Sequence, residues 1–292
     1  MTERRHAVRR FDKFVSAVVA VTLVALGTVC SLSLYRLQED HGRPAYLIGD
    51  AALTDRIDID VVVVRVDPAA GEMAVQVTPT PRGRFDDGGR FAADTTVYTA
   101  GLKSETIQIR AGEPISTNEI RIPLNTGTIT DYPFDDYRAQ VAFAAEVDAH
   151  EVPMNVSLYG LDAFFRLTPH LAAEQHGDGL NSMVDVERSV PSVVFALFVM
   201  ALMLGLAVAA ATAAFYVLRG RHGLVWPAMT LMAAMLFAMI PLRNAVPGAP
   251  PIGSIIDFGS FFIAEAVVAL SLICTVLIGY RQEVGKLASG EE

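Results

Sequence analysis

The order of apolar segments constrains this chain more than any other feature: one long uncharged stretch lies near the N-terminus, and three more crowd the C-terminal third. Crossing a bilayer core takes about 20 predominantly apolar residues in a helix. Phe14 to Tyr35 supplies 22 residues without a charge, bracketed by Lys13 and Arg36. Thirty uncharged residues separate Arg188 from Arg219, and Pro191 stands at the entry to that second stretch. A third spans Gly223 to Leu242, with Trp226 and Pro227 at its start and Pro241 near its end, where a belt aromatic and helix-boundary prolines are expected. The fourth runs from Ile255 to Tyr280, with Asp257 near its start and Glu265 inside it.

Four membrane-crossing helices are predicted, at 14–35, 189–218, 223–242 and 255–280. The first reads as an uncleaved signal anchor, because no small-residue cleavage site follows it. Lipid attachment at Cys30 is disfavoured by bulky Val29. Lys and Arg set the orientation, since positively charged flanks stay in the cytoplasm. Five of them lie in residues 1–13, Arg219 and Arg221 lie in the 219–222 loop, and Arg281 and Lys286 lie in the 281–292 tail. Both termini are therefore expected inside, in a multipass protein of the cell membrane. Residues 36–188 and the Pro/Gly loop 243–254 are then expected outside.

That outer segment has its own character. Residues 37–188 hold 25 Asp or Glu against 12 Lys or Arg, a balance of −13, which gives nucleic acid nothing to bind. It contains no cysteine, the two in the chain being Cys30 and Cys274 inside apolar stretches, so disulfides cannot hold it. Ile57 to Val66 passes from alternation to a β-branched run, Asp67-Pro68-Ala69-Ala70-Gly71 supplies a turn, and Met73 to Thr78 alternates again, a hairpin signature. Further strands are predicted at 95–98, 106–110, 119–124, 138–144, 152–159, 164–168 and 183–186. Nine short strands with regularly spaced turns suggest an antiparallel β-sandwich or related barrel. Almost no linker separates the last strand from the second apolar stretch, so the domain should rest directly on the membrane.

Two segments carry a family resemblance: Ile122 to Tyr137, IPLNTGTITDYPFDDY, and Arg243 to Glu265, RNAVPGAPPIGSIIDFGSFFIAE. With the one-plus-three arrangement of spans, the chain resembles the actinobacterial membrane-protein family known as domain of unknown function 4436, over most of its length. The resemblance implies a multipass membrane protein without assigned activity, and so names no catalytic or binding residue. Tyr132-Pro133-Phe134-Asp135 is also similar to the Phe-Pro-Phe-Asp turn of pentameric ligand-gated channels, where a β-sandwich presses on a pore. Those four residues form a candidate coupling turn. The chain departs from the channel pattern in lacking flanking cysteines and in having three helices after the β domain instead of four.

Charges inside apolar stretches are the remaining signal. Glu265, eight residues beyond Asp257, would lie roughly 12 Å deeper along an ideal helix. A charge so placed costs about 2.5–3.5 kcal/mol and needs a partner or a proton. Arg243, Asp257 and Glu265 are the candidate intramembrane charges. They read first as a structural Arg243–carboxylate pair locking the loop 244–254, second as a proton relay or substrate site, and third, for Glu265, as a protonated carboxyl facing lipid. The loop Pro247 to Gly253 either docks back on the β domain or simply connects two helices. Gly205, Ala209 and Ala213 form a small-residue stripe suited to close helix packing. Met229, Met232, Met235 and Met239 read as gap-filling thioethers in preference to a metal path. His170, Glu174, His176 and Asp178 match no zinc spacing. Asp86 to Gly89 reads as a turn, and Asn155-Val156-Ser157 as a sequon buried in a strand.

No phosphate-binding glycine loop, zinc-protease helix or nucleophile elbow is present. No catalytic, cofactor-binding or metal residue is predicted, and no cofactor. The expected protein is a noncatalytic envelope or partner-binding protein whose partners are the bilayer, an envelope protein or further copies of itself. The alternative is an oligomeric transport, channel or sensing component using Glu265.

Overall fold

A computed structural model describes residues 33, 46–49, 52–101, 106–171, 179–220 and 224–289. The predicted helix at 14–35 falls outside the described residues. The first part of the chain to the helices is a mixed β domain whose described strands are β1 (Tyr46–Gly49), β2 (Arg56–Asp67), β3 (Glu72–Arg82), β4 (Thr95–Thr99), β5 (Thr106–Ile109), β6 (Asn118–Thr126), β7 (Asp136–Val147), β8 (His150–Glu151), β9 (Met154–Gly160), β10 (Phe165–Leu171) and β11 (Leu180–Arg188). Each of the nine expected strands is among them. The two additions, β1 and β8, are too short for alternation to show.

Alternation does its usual work in β2, where Ile57, Ile59, Val61 and Val63 are buried and the aspartates between them are half-buried. The β2–β3 turn closes as composition predicts: Ala70 N donates to Asp67 Oδ1 at 3.1 Å, and Gly71 takes a φ of 69° that a glycine adopts at no steric cost. Pro79 and Pro81 fall where β3 has run past its pairing with β6, which ends at Val77 opposite Asn118. A residue without an N–H loses no ladder bond at such an edge.

The strands pair in the order β1-β9-β2-β3-β6-β7-β11-β10, with β4 joining β5 to β7 and β8 on β7. The expectation of a purely antiparallel fold needs correction: β2 and β9 run parallel from Ile57 opposite Met154 to Val63 opposite Gly160. A long excursion through β3 to β8 separates them in sequence and gives the chain room for the crossover that parallel neighbours require. Buried side chains from both ends of this strand order, such as Ile48, Val61, Val97 and Val184, share one core.

Several connections collect at one end of the domain. Leu124 N donates to Gly71 O at 2.8 Å, tying the β2–β3 turn to the end of β6. Leu161 N donates to Val63 O at 2.8 Å, and Ser189 N donates to Phe164 O at 2.9 Å, which brings the β9–β10 connection to the end of β11. At this same end the helices begin.

Three helices follow: α1 (Val190–Arg219), α2 (Trp226–Asn244) and α3 (Phe262–Ser289), the last continuous with one π-helical turn, Asp257–Phe261. All three are long and apolar enough to cross a membrane. α1 packs through Ala196, Val199, Met203, Ala207, Ala210 and Ala214. The buried stripe is therefore not the expected one, for Gly205 and Ala209 are exposed and Ala213 is half-buried. Met229, Met232 and Met239 are buried and Met235 packs against the same core, so these thioethers fill space between helices.

Candidate functional site at the domain–helix junction

Strand β11 buries Leu180, Ser182, Val184, Val186 and Arg188, so strict alternation delivers a guanidinium to an inward position one residue before the helix-capping Ser189. A buried cation there needs a fixed anion. The 127–135 connection supplies Asp135. Arg188 Nε donates to Asp135 Oδ1 at 3.0 Å and Oδ2 at 3.1 Å, and Nη2 donates to Oδ2 at 2.9 Å. The two side chains are 2% and 0% exposed. Tyr137, two residues on in β7, donates its hydroxyl to Asp135 Oδ2 at 2.6 Å. Burial, reinforced by that bond to a carboxylate, pushes the Tyr137 hydroxyl far above the usual tyrosine range.

Aromatic faces complete the cage. The Arg188 guanidinium lies 4.2 Å from the Phe165 ring centre and 4.9 Å from that of Tyr132, within the range of cation–π attraction. Tyr132 is fully buried and belongs to the core of the helices, with Val246 and Ile256, whereas Tyr137 and Phe165 belong to the core of the sheet. The expected coupling turn thus divides its residues: Tyr132 is inserted among the helices, Asp135 clamps the last strand, and Phe134 faces outward, 58% exposed. Burial raises the Tyr132 hydroxyl to about 12 despite the opposing charge of Arg188.

The α2–α3 loop closes on the same arginine. Gly248 has a φ of 83°, and a Cβ built on it would lie 2.6 Å from Arg188 Nη1. Only a glycine lets the loop lie against that guanidinium. Of the two readings of Pro247 to Gly253, docking is the one observed. Its lock is a second buried pair: Arg243 Nε donates to Asp257 Oδ1 at 2.8 Å and Nη2 to Oδ2 at 2.9 Å, while Nη1 and Nη2 reach Pro250 O and Pro251 O at 2.9 and 3.0 Å. Gly253 N and Ser254 N donate to Asp257 Oδ2 at 2.7 and 3.2 Å. Every carboxylate oxygen in the lock is satisfied, which is what a buried ion pair requires.

Glu265 is not part of that lock. It is half-buried on α3 and meets no ion-pair or hydrogen-bond partner among the described residues. Of the remaining singled-out groups, His170 lies on β10 and its Nε2 donates to Asp185 Oδ2 at 2.5 Å, while positions 174–178 fall outside the described residues. Asp86 Oδ1 accepts Gly89 N at 2.8 Å, as a surface turn would. Asn155 is buried in β9, paired with Gly49 of β1. Sequence reasoning missed Arg188, Tyr137 and Gly248. One signal existed for Arg188: it is the last charge before 30 uncharged residues and has the inward parity of its strand.

The arrangement occupies both aspartates with guanidinium groups, so neither is free to take a proton from a substrate. Its chemistry is that of a clamp between sheet, first helix and loop. Residues 47–187 match the model of a family described as Domain of unknown function (DUF4436), and residues 188–282 match a second, Domain of unknown function (DUF8686). No curated protein matches the chain. The likeness to DUF4436 therefore holds for the β domain, including Ile122 to Tyr137, but does not reach the helices as expected: the segment Arg243 to Glu265 lies in the part similar to DUF8686.

Proposed function

We propose that this chain is a noncatalytic multipass membrane protein that presents an acidic, sandwich-like β domain on the extracytoplasmic side and holds it in fixed orientation for an envelope partner. The observation that carries this reading is the Asp135–Arg188 pair, 0% and 2% exposed, placed where the last strand becomes the first described helix. A tethered domain needs only a linker, whereas this one is bolted down by Tyr132 in the helical core and by the loop at Gly248. Positive charge at 1–13, 219–222 and 281–292 supports cytoplasmic ends and an outer β domain, with 14–35 as an additional span.

Fixed orientation is measurable with spin labels, one on the β domain at Gln140 and one on α1 at Phe215, in protein reconstituted in lipid. A single narrow distance distribution supports the proposal; a broad one, as from a swinging domain, refutes it. A second reading, transport or sensing in an oligomer, is favoured by one feature, the half-buried Glu265, which has no ion-pair or hydrogen-bond partner among the described residues. Vesicle flux assays separate the two: proton or ion movement abolished by Glu265→Gln would establish transport, and its absence in the wild type would remove that reading.

A further inference from the structure

The described phenylalanines of the β domain divide sharply. Phe85, Phe91, Phe143 and Phe165 are buried, while Phe134 and Phe164 are 58% and 45% exposed. Both exposed rings lie at the end where the helices start. Phe164 is level with the cap of α1, because its carbonyl accepts Ser189 N at 2.9 Å and its neighbour Ala163 accepts Ser189 Oγ at 2.9 Å. Phe134 precedes Asp135, the clamp on Arg188. Leu161, in the same connection as Phe164, is also exposed, and so is Ile252, at the crest of the loop that docks on Arg188. Exposed apolar side chains scattered singly need no explanation, but a set gathered at one level does.

We infer that Phe134, Leu161, Phe164 and Ile252 form a collar that inserts into the interfacial layer of the outer leaflet around the helix ends. The proposal rests on the reading of α1 to α3 as membrane spans. Its occupant follows from continuity: Val190, the first residue of α1, is 60% exposed beside the collar, so whatever lipid surrounds that first turn meets Phe164 as well. Headgroup-level lipid favours aromatic and aliphatic side chains on a surface that is otherwise polar. The collar would fix the height and tilt of the β domain, complementing the buried pairs that fix its rotation.

Trp226 is the chain's one tryptophan, which makes a fluorescence test direct. In a Trp226→Phe background, tryptophan is placed singly as Phe134→Trp, Phe164→Trp or Ile252→Trp, with Ile115→Trp at the opposite end of the β domain for comparison. Each protein is reconstituted in phosphatidylcholine vesicles containing lipids brominated either near the headgroup or near the chain end. The expected result is blue-shifted emission at the three collar positions, quenched more by shallow than by deep bromines, with Ile115→Trp unquenched. Collar tryptophans that are unquenched while wild-type Trp226 is quenched would overturn the collar and leave the spans intact. Blue-shifted but unquenched emission would mean that protein, a second copy included, covers the collar, and would overturn it equally. If Trp226 itself escapes both bromines, the membrane reading fails, and the collar with it.

Discussion

Replacing Asp135 by Asn leaves the side chain's size nearly unchanged and removes the carboxylate that, among the described residues, holds Arg188. An amide carries no charge and accepts only through its one oxygen, so of the two oxygens that take three guanidinium contacts between 2.9 and 3.1 Å and the 2.6 Å bond from Tyr137, one becomes a donor facing donors. The cation cannot relax into water, since its side chain is 2% exposed between Phe165 and Tyr132. Removing one partner of such a buried pair costs about 3–5 kcal/mol, because an uncompensated charge stays behind. In a domain of this size each kcal/mol lowers the melting temperature by about 2–4 °C, so Asp135→Asn should fall by roughly 6–20 °C. Replacing both partners, as Asp135→Leu with Arg188→Met, removes charge and counter-charge together and should recover most of that loss. The assay is thermal unfolding of purified protein in nanodiscs, for wild type, each single replacement and the pair. A fall below about 2 °C in Asp135→Asn, under 1 kcal/mol on the same scale, would mean that the pair does not clamp the junction. So would a double replacement as damaging as the sum of its singles, since coupled neighbours must deviate from additivity.

The same physics gives four further outcomes. Gly248→Ala combines a φ of 83° with a Cβ 2.6 Å from Arg188 Nη1 and should cost about 1–3 kcal/mol, read as a lower melting temperature and faster proteolysis of the 245–254 loop. Arg243→Gln should destabilise by about 3–5 kcal/mol by stranding Asp257, with the same protease now cutting the loop. Glu265→Gln, in contrast, should change the melting point by no more than about 0.5 kcal/mol equivalent, there being no partner among the described residues to lose. On the outer face, the His170 hydrogen bond and Arg138 hold the Asp185 carboxyl below its ordinary 3.8. A depressed aspartate contributes stability above its unfolded value and loses it as pH falls through the folded one. Carboxyl-carbon NMR should find Asp185 titrating below 3.8, and His170→Ala should move it upward.

How much of this was legible beforehand depends on whether the deciding interaction is local. Period-2 burial is local, so β2, β3 and β7 could be placed from alternation and turn residues alone. The parallel register of β2 on β9 is not, because nothing in Ile57 to Val63 records which strand some 97 positions later will lie beside it. The two buried pairs differ in the same way. Arg243 and Asp257 are almost the sole charges in a long apolar region, and lipid leaves them few alternatives to each other. Glu265 was a competing partner on sequence grounds; the π-helical turn and the amides of Gly253 and Ser254 give Asp257 the advantage. Asp135 is one of 25 acidic residues between 37 and 188, and its pairing with Arg188 across 53 positions emerges only once the sheet order puts β7 beside β11. The turn containing it did stand out, but for its likeness to a coupling turn. The small residues of α1 form two stripes that spacing alone does not rank: Gly205, Ala209 and Ala213 recur every four residues, while Ala207, Ala210 and Ala214 follow at three and four and are the ones buried.

The side of the membrane on which the β domain lies decides most of what is proposed for this protein, and it can be measured. With Cys30 and Cys274 replaced by serine, a single cysteine at exposed Gln140 can be probed in intact cells with a membrane-impermeant maleimide. An outer β domain gives full labelling before permeabilisation, and none at that stage for a cysteine at Arg221. Labelling of Gln140→Cys only after the membrane is opened would place the acidic domain in the cytoplasm and contradict the proposed placement.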